Sequence, residues 1–222
     1  MDKRPILVVA PHGLDEVLGV GGTIAVHAGA GHKVHVLILC GDGQGLDGRR
    51  REAAGQAAKL LGAEPPVFAG FPENRSDSVP LSDVVAVIEA VVADVKPAIV
   101  YVSHGGNLNI DHQTAYRATA TALRPAPTCP VTEFYAYEIA SSTDWAPASF
   151  GAGFKPNHFV DIASVLARKL KALELYAFDM RAEPHARSIQ ALEALARSRG
   201  AGIGVAAAEA FTTERTIVRA DR

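Results

Sequence analysis

The sequence predicts an α/β protein, a three-layer α/β/α arrangement with a mostly parallel sheet and a C-terminal helix and strand extension. Two observations carry this. Short apolar runs rich in β-branched residues alternate with helix-like segments through the first 140 residues, the pattern of repeated strand–helix–strand units. The runs are also apolar throughout rather than alternating, as strands must be when helices cover both sheet faces.

Ile6–Ala10, Val34–Cys40 and Ala98–Val102 have strand length, and each ends at a Gly, Pro or His-containing turn. Between them, Gly19–Ala30, Arg49–Leu61 and Leu81–Val95 read as helices. In the last of these, Val84, Val87, Ile88 and Val91 recur at i, i+3, i+4 and i+7, one helical face. Phe71–Pro80 and Pro125–Pro130 are punctuated by prolines, and Ser141–Pro156 is small, polar and rich in turn formers, so all three read as loops. Gln113–Leu123 reads as a helix and Thr132–Ile139 as a further strand. A strand (His158–Ile162), two helices (Ser164–Phe178 and Arg187–Arg199) and an apolar-aromatic segment (Val205–Phe211) complete the chain. No repeat or charge run divides it, so residues 1–222 are expected to form one domain.

Composition narrows the function. The chain has 222 residues with 22 Lys plus Arg against 24 Asp plus Glu, a net charge of −2. That balance excludes an electrostatic nucleic-acid binder, which needs a clustered basic excess. Two cysteines, Cys40 and Cys129, are too few for a disulfide framework or a Cys-based zinc site, and a reducing cytoplasm is the expected location. No stretch approaches the ~20 apolar residues of a membrane span.

In open α/β sheets ligands bind outside the carboxyl ends of the strands. Two chemistry-bearing segments fall there. His12-Gly13-Leu14-Asp15-Glu16 follows the first strand, and Ser103 to His112, with His104, Asn107, Asn109 and Asp111, follows Ala98–Val102. His12, Asp15 and His112 together make a two-His, one-carboxylate set that leaves coordination positions open, as a catalytic metal site requires. A strand-end histidine can equally be a hydrogen-bonding residue. Asp111 could orient an imidazole or cap the helix that follows it. Gly21-Gly22-Thr23 offers backbone N–H groups for an anion, or close packing of helix on strand. It fits no dinucleotide or Walker pattern.

These segments, with Gly41-Asp42-Gly43, Arg51-Glu52, Phe71-Pro72-Glu73-Asn74-Arg75, Tyr137-Glu138, Pro184 to Ser188 and Ala208 to Phe211, give the chain a resemblance to the LmbE-like, or PIG-L, family of metal-dependent de-N-acetylases. The resemblance implies a Rossmann-like fold and a divalent metal, usually zinc, held by His12, Asp15 and His112. It implies hydrolysis of an N-acetyl group on an amino sugar or sugar conjugate. It also implies substrate contacts from Asn74, Arg75, His185 and Arg187, which suit a phosphate- or nucleotide-linked sugar. Homo-oligomers are an expectation from the family alone.

The sequence departs from the family pattern at three places, one of them Gly13 where the family has a proline. The position of the family's general base is Leu14, which cannot accept a proton, and a polar position three residues before the metal histidine is Asn109. Three readings follow. Asp111 or His104 supplies the base; the substrate or a partner supplies it, or the reaction is not deacetylation; or the protein binds metal or sugar without turnover, as a regulatory or assembly subunit.

Overall fold

The computed structural model describes residues 3–41 and 45–218. Asp42 and Gly43, quoted above, lie outside the described residues. The strands are β1 (Ile6–Ala10), β2 (Val34–Cys40), β3 (Val67–Phe71), β4 (Ile99–Ser103), β5 (Glu133–Tyr137), β6 (His158–Asp161) and β7 (Ala208–Thr216). The helices are α1 (Asp15–Gly29), α2 (Gly45–Leu61), α3 (Leu81–Val95), α4 (Ile110–Ala122), α5 (Leu166–Glu174) and α6 (Ile189–Ala201). The strands form one seven-stranded sheet in the order β3-β2-β1-β4-β5-β7-β6. β1 pairs in parallel with β2 and β4, and β4 with β5, whereas β7 runs antiparallel to both β5 and β6.

The alternation of side chains along β1 shows why its run is wholly apolar. Ile6, Val8 and Ala10 enter the core shared with α1, α5 and α6, while Leu7 and Val9 enter the core shared with α3 and α4. The C-terminal helices α5 and α6 both pack on the first of these faces through Leu166, Leu173, Leu192 and Ala196. Close approach of α1 to the sheet needs glycine. A Cβ at Gly19 would lie 2.1 Å from the Tyr137 ring, and one at Gly22 would lie 2.7 Å from Ile162.

Several expectations need correction. α1 begins at Asp15, four residues before Gly19, with Asp15 and Glu16 in its first turn where the helix dipole favours acids. Gly22 and Thr23 are thus inside the helix, and their N–H groups donate to the Glu209 carboxylate at 2.8 and 2.7 Å. The anion at these amides is the protein's own. Glu209 also pairs with the buried Lys169 at 2.6 Å, whose Nζ donates to the Leu18 carbonyl. β7, which carries Glu209 and Phe211, lies inside the sheet, with β6 outermost. β3 was not expected, because it is a half-exposed edge strand without a β-branched run. The cap of α4 is Asn109, which accepts from the Asp111 N–H at 2.7 Å, and Ser188 caps α6 by accepting from the Ala191 N–H at 3.1 Å.

The order β2-β1-β4 makes a switch point between β1 and β4, where successive connections leave in opposite directions. Both histidine segments emerge there.

Candidate active site

β1 ends at Ala10, and the turn that follows carries His12 and feeds Asp15 into the first turn of α1. β4 ends at Ser103, and the Asn109 cap starts α4 so that Asp111 and His112 fall in its first turn. Asp15 Oδ2 lies 3.1 Å from His12 Nδ1 and 3.3 Å from His112 Nε2, and accepts the His12 backbone N–H at 3.0 Å. The donor atoms of His12, Asp15 and His112 all lie within 4.8 Å of one another.

This donor set fits a divalent cation. Burial pushes the His112 imidazole down to about 4, so it is neutral, the ligating form, and its buried Nδ1 has no hydrogen-bond partner. Burial pushes Asp15 toward protonation, but His112 and His12 overcome it and hold the carboxyl far below its usual range. His12 is flanked by two carboxylates. Burial opposes its charge, yet hydrogen bonds to Asp111 and Asp15 carry it up to about 9. The cluster therefore draws positive charge to its centre.

A cavity of about 180 Å³ opens over these residues and is bordered on its far side by Arg50, Glu73, Asp179 and Arg187. Arg50 holds both acids, with Nη1 2.7 Å from Glu73 Oε1 and Nε 2.7 Å from Asp179 Oδ2. Arg187 Nε donates to Ser141 Oγ at 3.0 Å, and its charge acts on Asp15 and His112. Leu14 lines the same cavity at φ 99°, a backbone that short polar side chains adopt more readily than leucine. Glu16 turns away: its carboxylate accepts the Leu14 N–H and the Tyr176 hydroxyl, and burial raises it to about 7.

The predicted site residues divide. Asn74 and Arg187 line the cavity beside the three ligand candidates. Asp111 and His104 do not. Asp111 contacts His12 rather than His112, with Oδ2 2.8 Å from His12 Nε2, and accepts the Asn74 and Ser76 N–H groups at 2.5 and 3.1 Å. Its pKa is driven low against the pull of burial by those bonds, and it orients His12 and pins the 74–76 loop. His104 Nε2 donates to the Ala152 carbonyl at 2.9 Å and its ring packs on Phe154. Arg75 precedes the short 3₁₀ turn Ser76–Ser78 and is not among the cavity residues. His185 lies edge-on to Trp145 and accepts the Arg187 N–H at 3.0 Å, so it shapes the Arg187 loop from outside. Arg50, Glu73 and Asp179 were missed. Glu73 lay within a quoted motif, Arg50 within the predicted helix Arg49–Leu61, and Asp179 carried no signal.

The family model described as PIG-L, GlcNAc-PI de-N-acetylase, matches residues 7–123, which hold β1, β4 and all three ligand candidates. The chain belongs to the PIG-L family. It is 31% identical over 163 residues to a 1D-myo-inositol 2-acetamido-2-deoxy-alpha-D-glucopyranoside deacetylase of Rhodococcus opacus (strain B4), covering 58% of this chain and 56% of that protein. The chain thus matches little more than half the length of this PIG-L relative. It is 27% identical over 201 residues to a 4-oxalmesaconate hydratase of Pseudomonas putida KT2440, covering 79% of this chain and 74% of that one. Among solved structures, the N,N'-diacetylchitobiose deacetylase of Pyrococcus horikoshii superimposes with a TM-score of 0.77 at 21% identity over 96% of this chain and 84% of that chain, a likeness of fold.

Proposed function

We propose that this PIG-L protein is a metal-dependent amidohydrolase that removes an N-acyl group, acetyl by preference, from an amino sugar or sugar conjugate. The observation that carries the reading is the convergence of His12, Asp15 and His112 donors within 4.8 Å at the floor of the cavity. These three residues would hold the cation, which supplies Lewis-acid polarisation of the amide carbonyl and of the attacking water.

The remaining chemistry is assigned to residues on the far wall. Glu73 takes the place of the absent base: one oxygen is held by Arg50, and the other is available to take the proton of the attacking water and return it to the leaving amine. Its loop is tethered to the ligand segment through the Asn74 N–H on Asp111 and the Asn109 amide on Asn74 Oδ1. Arg187, whose Nε is fixed by Ser141, lines the cavity and is the cation that would meet negative charge developing on the carbonyl oxygen. Leu14 contributes an apolar floor in place of a carboxylate.

A second reading is addition of water to a carbon–carbon double bond of a small carboxylate. The hydratase relative, which aligns with more of this chain than the deacetylase does, favours it, as does Leu14. The two readings share the cation and diverge in product. The test is release of free amine from a panel of N-acetylated sugars, free and phosphate- or nucleotide-linked, by protein of measured metal content. Amine release abolished by His112→Ala supports the hydrolase. Metal-loaded protein that releases no amine but hydrates an unsaturated dicarboxylate overturns it, and stoichiometric metal with neither product marks a binding protein.

A further inference from the structure

His12 stands between two sets of metal-ligating side chains. Its Nδ1 faces Asp15, 3.1 Å away, and beyond it His112. Its Nε2 faces the other way, toward Asp111 Oδ2 at 2.8 Å. On that second side lies Cys40, the last residue of β2, buried and close to the Asp111 carboxylate. Donor atoms of His12, Cys40 and Asp111 lie within 4.8 Å of one another. We propose that His12 Nε2, Cys40 Sγ and Asp111 form a second cation position, selective for thiophilic divalent metals and distinct from the one at Asp15 and His112.

The chemistry of the donors differs between the two positions. Two imidazoles and a carboxylate take zinc, cobalt or iron, whereas the sulfur of the second set favours softer ions over magnesium or calcium. Binding at Cys40 exchanges the thiol S–H bond for a sulfur–metal bond, and the proton leaves to solvent. The surroundings are built for this. The Asn74 and Ser76 N–H groups fix the Asp111 carboxylate as outer partners. A recess of about 10 Å³, bordered by His12, Cys40 and Arg50, adjoins the thiol and accommodates about one water-sized ligand. The charge of Arg50 is answered there by Asp179 and Glu73, and Arg51 lies over the Phe68 ring at 4.1 Å. One imidazole ring therefore presents a different nitrogen to each position, so the second position competes for the ring that the first one uses.

The experiment is cobalt(II) titration of metal-stripped protein, followed by near-ultraviolet absorption and by proton release in weakly buffered solution, with circular dichroism confirming the fold of each variant. Wild type, His112→Ala and Asp15→Asn are expected to develop an intense thiolate-to-cobalt charge-transfer band, and Cys40→Ser is expected to lack the band and to release fewer protons than wild type while still binding cobalt through the first set. Absence of the band in folded wild type overturns the proposal. A wild-type band that vanishes in both His112→Ala and Asp15→Asn also overturns it, by making Cys40 a ligand of the first cation. The readout does not depend on turnover, so it stands apart from the hydrolase reading.

Discussion

The floor and the far wall of the cavity carry different chemistry. On the floor, His12, Asp15 and His112 converge on a single carboxylate oxygen and are fixed by the ends of β1 and β4. Leu14 and Asn109, neither of them an acid, also line the cavity, and Glu73 and Asp179 on the wall are gathered by Arg50; the proposed function places proton handling there. The contrast separates two requirements of metal-assisted hydrolysis. Holding a cation needs donors at strict distances, which only the strand ends supply. Moving a proton needs one acceptor within reach, which several loops can supply.

The largest effect is expected on the floor. His112→Ala and Asp15→Asn should each lose the cation of the first position and, with it, turnover, while circular dichroism stays native; metal analysis of each variant in a Cys40→Ser background checks this. Turnover retained with the metal lost would erase the distinction between floor and wall. Arg187→Gln tests the wall: removing one charge that stabilises the developing oxyanion should lower kcat by about 10²–10³ with a smaller change in KM. A rise in KM alone would make Arg187 a substrate-holding group only.

How far the site was legible in the sequence follows the same division. The ligand candidates stood at strand ends in recognisable runs, and β1, β2 and α3 have the boundaries that their apolar periodicity predicts. Asp111 sat next to a ligand in sequence, yet it reaches His12, because the first turn of α4 aims adjacent side chains about 100° apart. Arg50, Glu73 and Asp179 come from three separate segments, and nothing local marks residues whose partners are up to 129 positions away. The role of Glu209 was hidden likewise, since the amides it accepts from lie 187 and 186 residues earlier.

That anchor offers a test of how the floor is held. Glu209→Gln leaves Lys169 buried without its partner, a change expected to cost about 3–5 kcal/mol, read by urea unfolding. Because α1 carries Asp15, metal affinity should fall as well; unchanged affinity would mean that the strand ends fix the floor unaided. The smallest effect lies away from both regions. His27, hydrogen-bonded to the Tyr101 hydroxyl at 3.0 Å, is held down to about 4 by burial, with His32 adding to the shift. Between about pH 4 and its ordinary value of 6.5 the unfolded chain binds a proton that the folded chain declines, so this residue's contribution to stability rises with pH across that window. His27→Gln should flatten the slope of unfolding free energy there without altering metal content.

The most direct measurement is kcat for amine release from the best N-acetylated substrate, compared among wild type, Glu73→Gln, Leu14→Asp and the double variant, all with equal metal. A relocated base predicts a fall of about 10²–10⁴-fold for Glu73→Gln and recovery when Leu14→Asp restores an acceptor on the floor. Full activity in Glu73→Gln, or no recovery in a folded, metal-loaded double variant, would contradict it.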